Sequence, residues 1–180
     1  MSRTVKDSAI LLQVLSGYDT RDPMSLKDEV PDFISSLNGG VRQLRIGWTP
    51  NYGYAPIDPG VLKVSYKAAK CFEEFGCTVE EVDVDLDNPF KSFWTMFSST
   101  AYSSYGHLLD SDQGDLTSYG RYSLEQGRSA SSADYARALN ITQMVKRKFT
   151  EIFAKYDLIM SPTMPTVAFP IGQEPQKIAG

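Results

Sequence analysis

Histidine and cysteine are scarce in this sequence. His107 is the lone imidazole, and Cys71 and Cys77 are the two thiols among 180 residues. So few soft ligands, with no metal-ligand spacing around them, exclude a zinc ribbon or finger and a disulfide-stapled secreted scaffold. Neither a metal nor an organic cofactor is expected, and the cysteines read as free thiols in a reducing cytoplasm. No apolar run reaches the roughly 20 residues that a membrane-spanning helix requires. Asp7 also interrupts the early apolar stretch that a secretory leader would need. Basic residues form no stripe: 18 Lys and Arg against 22 Asp and Glu give a net charge of −4, which argues against a nucleic-acid partner. Asn38-Gly39-Gly40 lacks the strand-before, helix-after setting of a phosphate loop. With repeats and low-complexity tracts absent as well, 42% hydrophobic and 22% charged residues describe an ordinary globular chain with enough length for a real core.

The chain enters structure almost at once. Thr4 is placed to cap a helix over Val5–Ser16, with Asp7 at capping-box spacing and Gly17 as a left-handed stop. Ala9, Ile10, Leu11, Leu12, Val14 and Leu15 leave that helix almost no polar face, so it is expected to lie deep inside a larger body. The stretch "GYDTRDPMSLKDEVPDF" is polar, broken by Pro23 and Pro31, and reads as a surface connection. Leu44, Ile46 and Trp48 alternate in a strand. Asp58-Pro59 then opens a helix, Asp as N-cap and Pro at the first helical position, whose stripe is Leu62, Tyr66, Ala69 and Phe72 before Gly76. Val79, Val82 and Val84 mark a second strand. Strand, helix and strand joined by short turns predict a parallel crossover.

From Asn88 to Leu109 the aromatics crowd together (Phe90, Phe93, Trp94, Phe97, Tyr102, Tyr105), and a helix is expected there. "DSDQGDLTSYG" reads as a loop and "RYSLEQGR" as a short helix. Ser131 or Ser132 caps the longest helix, about Ala133 to Tyr156, with Ala138, Val145, Phe149, Ile152 and Tyr156 at helical period. "DLIMSP" is apolar enough to be buried on both faces, as interior parallel strands are. The tail from Thr163 is expected to be extended or irregular. The whole reads as α/β, with three strands and four to five helices.

Catalytic chemistry is not announced by spacing. Serines cluster in "SST" from Ser98, "YSSYG" from Tyr102 and "SASS" from Ser129, yet a nucleophilic hydroxyl needs a base in reach and none is signalled. His107 sits among aromatics without an acid or thiol at metal spacing. The acids of "VEEVDVDLD" alternate as a solvated strand face would.

Five stretches in order nevertheless carry a resemblance. "MSRTVKDSAILLQVLSGYDTRDPMS" resembles a segment that begins Gly-Pro-Met and continues into an Ala/Leu-rich helix and a "D-x-x-D-P" loop. "GVRQLRIGWTPNYGYAPIDPGV", "AAKCFEEFGCTVEEVDV", "SSADYARALN" and "FAKYDLIMSPTMPTVAFPIG" resemble its next strand and helix start, its helix and strand, its long helix and its late Pro-Thr-x-Pro turn. The family is that of the amidase signature enzymes. The resemblance implies an α/β/α fold, a mixed and mostly parallel sheet flanked by helices, with residues 1–180 forming a single partial domain.

It also implies hydrolysis of amide C–N bonds by a Lys, a bridging cis-Ser and a Ser nucleophile. In the family these lie ahead of the Gly-Pro-Met segment, so no catalytic residue is expected within this chain. The chain is expected to be an internal slice that lacks that core and a later "N-x-x-G-x-P" region. It would then contribute scaffold and substrate-pocket walls for a small-molecule amide. The alternative is a non-catalytic α/β module that binds a partner through exposed apolar surface. In the family the variable middle, roughly Phe93 to Arg128, shapes specificity. Arg121 is the candidate for holding an acidic substrate group, since a guanidinium fork suits a carboxylate, and Trp94, Phe97 and Tyr102 are candidates for an apolar acyl pocket. The apolar first helix is expected to associate, most simply with a second copy of the chain.

Overall fold

A computed structural model describes residues 1–111, 116–173, 175, 177 and 178, so part of the "DSDQGDLTSYG" stretch and of the tail lies outside the described residues. The chain divides into two compact units, Met1–Arg42 and Gln43–Gly180.

In the first unit, helix α1 runs Val5–Leu15, and the Thr4 hydroxyl accepts the Asp7 N–H at 3.0 Å, the cap expected from spacing. Gly17 follows at φ +136, a conformation that suits glycine. The polar connection holds one element that was not foreseen, the single-turn helix α2, Phe33–Ser36. Asp32 nucleates it by accepting from the Ile34 and Ser35 N–H groups, and Gln13 of α1 accepts the Phe33 N–H at 2.9 Å. Within this unit α1 is largely uncovered, so the larger body expected to bury it is not supplied there. Ala9 alone among its residues is buried, and Val14 is 77% exposed, because the short α2 and a polar loop offer too little apolar surface to cover the helix.

The second unit is built on three parallel strands in the order β2-β1-β3. Strand β1 is Arg45–Trp48, β2 is Thr78–Glu81 and β3 is Leu158–Met160. Helix α3, Pro59–Glu74, links β1 to β2, and Asp58 caps it by accepting from Gly60 and Val61 N–H. The predicted crossover is therefore present, in the register Ile46↔Val79 on one side and Ile46↔Leu158 on the other. The core gathers around β1: Ile46, Trp48, Ala69, Val79 and Val84 are buried. Gly47 lets it close, since a Cβ there would meet Ile159 Cδ1 at 2.7 Å.

Strand β3 departs from its expected interior position. It forms one edge of the sheet among the described residues, and Leu158 is 45% exposed. Its composition records apolar surroundings but does not specify a partner on each side.

Three helices complete the unit: α4, Phe90–Tyr105, followed by a 3-10 turn Gly106–Leu109; α5, Ser118–Ser129; and α6, Ser132–Phe153. Ser131 caps α6 in a full capping box with Asp134, each residue bonded to the other's backbone N–H. Thr117 caps α5 by accepting the Gly120 N–H, so α5 begins before the "RYSLEQGR" stretch. Helix α6 stops at Phe153, three residues short of the expected Tyr156, where the chain turns into β3.

Candidate functional site

Helix α4 presents two different faces. Trp94, Ser98 and Tyr102, spaced at i, i+4 and i+8, lie on one row, and this row packs on α5. Trp94 stacks on Tyr122 at 5.9 Å between centroids and meets Tyr119 edge-on at 5.9 Å. Ser98 is buried and donates to the Trp94 carbonyl at 2.7 Å. Gly127 is what permits the approach: a Cβ on it would stand 2.0 Å from the Ser98 carbonyl oxygen and 2.6 Å from Tyr102 Cβ. Tyr102 also lies under Gly106, where a Cβ would meet its ring at 2.6 Å.

The second face turns toward α6. Phe93, Met96, Phe97 and Ala101 of α4 and Ile141 and Val145 of α6 line a groove of about 730 Å³. Phe93 and Phe97 stack at 5.9 Å, and Thr142 on the far wall donates to Met96 Sδ at 3.4 Å.

The four residues expected to contact substrate are thus distributed rather than gathered. Phe97 lines the groove, Tyr102 is packed in the α4–α5 seam, and Trp94 bridges the two through its 5.6 Å contact with Phe97. Arg121 lies in α5, half-buried. Its Nη2 is enclosed and has no hydrogen-bond partner among the described residues, and the same holds for Ser123 Oγ two residues on. A buried donor left unpaired costs about 1–3 kcal/mol, more for a charged group, so an acceptor brought to that nitrogen would recover energy.

A further feature was missed by sequence reasoning. Beyond the C-terminal ends of β1 and β3, Tyr52 adopts φ +57, uncommon for a bulky residue. The Thr49 hydroxyl accepts its N–H, its carbonyl accepts the Leu86 N–H at 2.9 Å, and its own hydroxyl pairs with Ser161 Oγ at 2.7 Å. Asp85 takes φ +44 beside it, against Gly53. This is the end of a parallel sheet at which α/β folds bind ligands. The motif "TPNYG" holds only a generic turn signal for it.

Asp134 is held down to about 2 from an ordinary 3.8, chiefly by the Ser131 hydroxyl, then by the Ser131 N–H and Arg137, which is helix-cap chemistry. His107 is exposed in the 3-10 turn. Cys71 is exposed and Cys77 is buried. Among the described residues no cluster of three metal-ligating side chains occurs, and no helix is long and apolar enough to cross a membrane. Lys6, Lys63, Lys67 and Lys146 are exposed on helices and Lys148 is half-buried.

A family model described as Amidase matches residues 1–178. The chain belongs to the amidase family. It is 30% identical over 175 residues to an acylamidase of Rhodococcus erythropolis, a match that covers 96% of this chain and 37% of that one. It is 31% identical over 177 residues to an amidase of Pseudomonas putida, covering 97% of this chain and 38% of that one. Among solved structures, a bacterial aryl acylamidase of the amidase signature family superposes with a TM-score of 0.84 at 27% identity, over 99% of this chain and 40% of that one. The family and fold implied by the five sequence stretches are therefore established. The chain spans about two-fifths of the length of the curated relatives it matches.

Proposed function

We propose that this chain is the substrate-pocket portion of an amide C–N hydrolase, supplying scaffold and pocket walls rather than the reacting groups. The observation that carries the proposal is the amidase match along residues 1–178. In this reading Arg121, with its enclosed and unpaired Nη2, receives an oxygen of the substrate, a carboxylate giving the best fit to a guanidinium edge. Trp94, Phe97 and Tyr102 form the adjoining apolar wall, Tyr102 by holding α4 against α5. The substrate is a small-molecule amide, and a sequence with two cysteines and no disulfide framework suits a protein that works in the cytoplasm. Helix α1, with Val14 and Leu15 largely exposed, covers its apolar face by association, most simply with a second copy. A monodisperse monomer at high concentration in analytical ultracentrifugation would refute that last point.

Acyl transfer from an amide needs a nucleophile, a base and oxyanion donors around one carbonyl, and the family resemblance places these groups ahead of this segment. The purified chain incubated with aliphatic and aromatic amides should therefore release no ammonia above background. Release that disappears when one of its own serines is changed to Ala would overturn the proposal. The pocket itself is tested by binding: an amide bearing a carboxylate should bind at least tenfold more weakly to R121M than to the unchanged chain, and equal binding would remove Arg121 from the site.

A further inference from the structure

The order β2-β1-β3 puts the successor of β1 on one side of it and the last strand on the other, so the chain changes direction across the sheet at β1. Parallel sheets bind ligands outside the carboxyl ends of their strands at such a point. Beyond those ends, the segment that leaves β3 is tied to the segment that leaves β1 at three levels. The Thr49 N–H donates to the Met160 carbonyl at 3.0 Å, the Tyr52 hydroxyl pairs with Ser161 Oγ at 2.7 Å, and the Asp58 N–H donates to the Pro165 carbonyl at 2.8 Å. Residues 161–165 are thereby a rim fixed at both ends.

The middle tie is made against the preference of the backbone. At φ +57 Tyr52 occupies a region where glycine is at ease and a bulky residue is strained. Its ring packs on Phe149 of α6 at 6.2 Å between centroids and its hydroxyl reaches Ser161, so side-chain contacts hold it there, as at sites where strain serves function. Of the two paired hydroxyls the phenol is the stronger acid and therefore the better donor. With the phenol donating, Ser161 Oγ accepts and its own proton stays available. Ser161 Oγ makes no other hydrogen bond among the described residues, and Ser161 is half-buried. A hydroxyl that already accepts one hydrogen bond donates the next one more strongly.

We infer that Ser161 is a binding residue at this end of the sheet, donating its hydroxyl proton to the carbonyl oxygen of a small-molecule ligand, and that Tyr52 is its positioning residue. The ligand is a neutral carbonyl compound. Asp58 already spends its carboxylate on the cap of α3, and Asp85, against Gly53, adds a negative charge that disfavours an anion. Among neutral carbonyls the amide oxygen is the strongest acceptor. The choice of an amide over other carbonyl compounds rests on the amide-hydrolase reading, whereas the Tyr52–Ser161 geometry does not, and neither depends on Arg121.

The isotope-labelled chain is titrated with benzamide, which has no carboxylate for Arg121, and with thiobenzamide, whose sulfur is a poor acceptor. NMR follows the backbone N–H signals of Tyr52 and Ser161. Benzamide should shift both signals and bind about fivefold more tightly than thiobenzamide, the effect expected of one neutral hydrogen bond. S161A should weaken benzamide about fivefold and leave thiobenzamide unchanged, a selectivity that a merely structural role of Ser161 would not produce. S161T, which keeps a hydroxyl, should restore benzamide binding. Y52F should weaken it about threefold, with no further loss when added to S161A, since the two residues act as one unit. Benzamide binding that is absent, that is equal in S161A, or that leaves the two signals unmoved overturns the inference. If the variants do not fold, equal binding of benzamide and thiobenzamide by the unchanged chain overturns it. Acetophenone separates this inference from the amidase reading. Should it bind with the same dependence on Ser161 while a longer protein containing this chain hydrolyses no amide, the amidase reading falls and the Ser161 assignment stands.

Discussion

Around β1 the apolar side chains leave the surface: Ile46, Val84 and Ala69 are fully enclosed and Trp48 nearly so. Along α4, Phe90, Phe93, Phe97 and Tyr105 stay largely open to solvent. Both regions belong to one compact unit and both are rich in apolar residues, so composition does not separate them. Partners do. Ile46, Gly47 and Trp48 of β1 are held in register by a strand on each side and Trp48 meets Tyr66 of α3, whereas α4 is covered by α5 along one row and only flanked by α6 along the other. The difference separates a closed sheet core from a helix face that is left open.

That separation can be attacked first where it predicts the greatest damage. Replacing Ile46 by Ala should cost about 3–5 kcal/mol, the usual range for emptying a fully buried aliphatic site, read as a lower urea midpoint with unchanged slope. A loss under 1 kcal/mol would show that the sheet is not the supporting core. Gly127→Ala should follow, at about 2–3 kcal/mol, because the new methyl meets a backbone carbonyl at 2.0 Å and α4 must move off α5. Tyr119 and Tyr122 should then lose their contact with Trp94, visible as a red-shifted emission.

Smaller effects probe the boundary between the regions. Ser131→Ala removes the α6 cap and should cost about 1 kcal/mol. It should also flatten the acid limb of stability. Asp134 is held near 2 in the fold against an ordinary value near 4, so the stability it provides is complete above about pH 4 and lost as pH falls toward 2. Without the Ser131 hydroxyl that slope should diminish, as measured by thermal melts between pH 5 and 2. Finally, Phe93→Ala should change stability by no more than about 0.5 kcal/mol, as exposed positions do, read from the urea midpoint. A large stability loss there would mean that the α4 aromatics are core after all.

The readability of the chain follows the same divide. Asp58-Pro59 and Gly76 are local signals that mark element ends the structure retains, and of the two caps expected for the longest helix, Ser131 and Ser132, it is Ser131 that the structure uses. Thr117 escaped notice because its capping partner is the backbone of Gly120 and leaves no side-chain signature, and Asp32 because Pro31 directs attention to a loop. The end placement of β3 could not be read at all, since a strand's composition does not record which neighbours pair with it. The same holds at the site. The aromatics of α4 were visible, but their division into an α5 row and an α6 row depends on Gly127, more than 20 residues further along the chain, whose meaning is tertiary. Arg121 was named for its chemistry, and only the fold gives it an unpaired buried nitrogen.

The position of β1 has a consequence in time. Its pairing with β2 needs only the α3 crossover to close, whereas its pairing with β3 joins segments far apart: the Asp157 carboxylate accepts the Arg45 N–H at 2.7 Å across 112 residues. Closing so long a loop is entropically dearer than closing the crossover, by ~0.6 kcal/mol for each doubling of length, and non-local pairings slow folding. The β1–α3–β2 unit is therefore expected to assemble early, with β3 docking only after α4, α5 and α6 have formed. During synthesis β1 waits with one edge unpaired until the β3 segment has emerged, and it is in that interval that the chain is most open to pairing with the wrong strand.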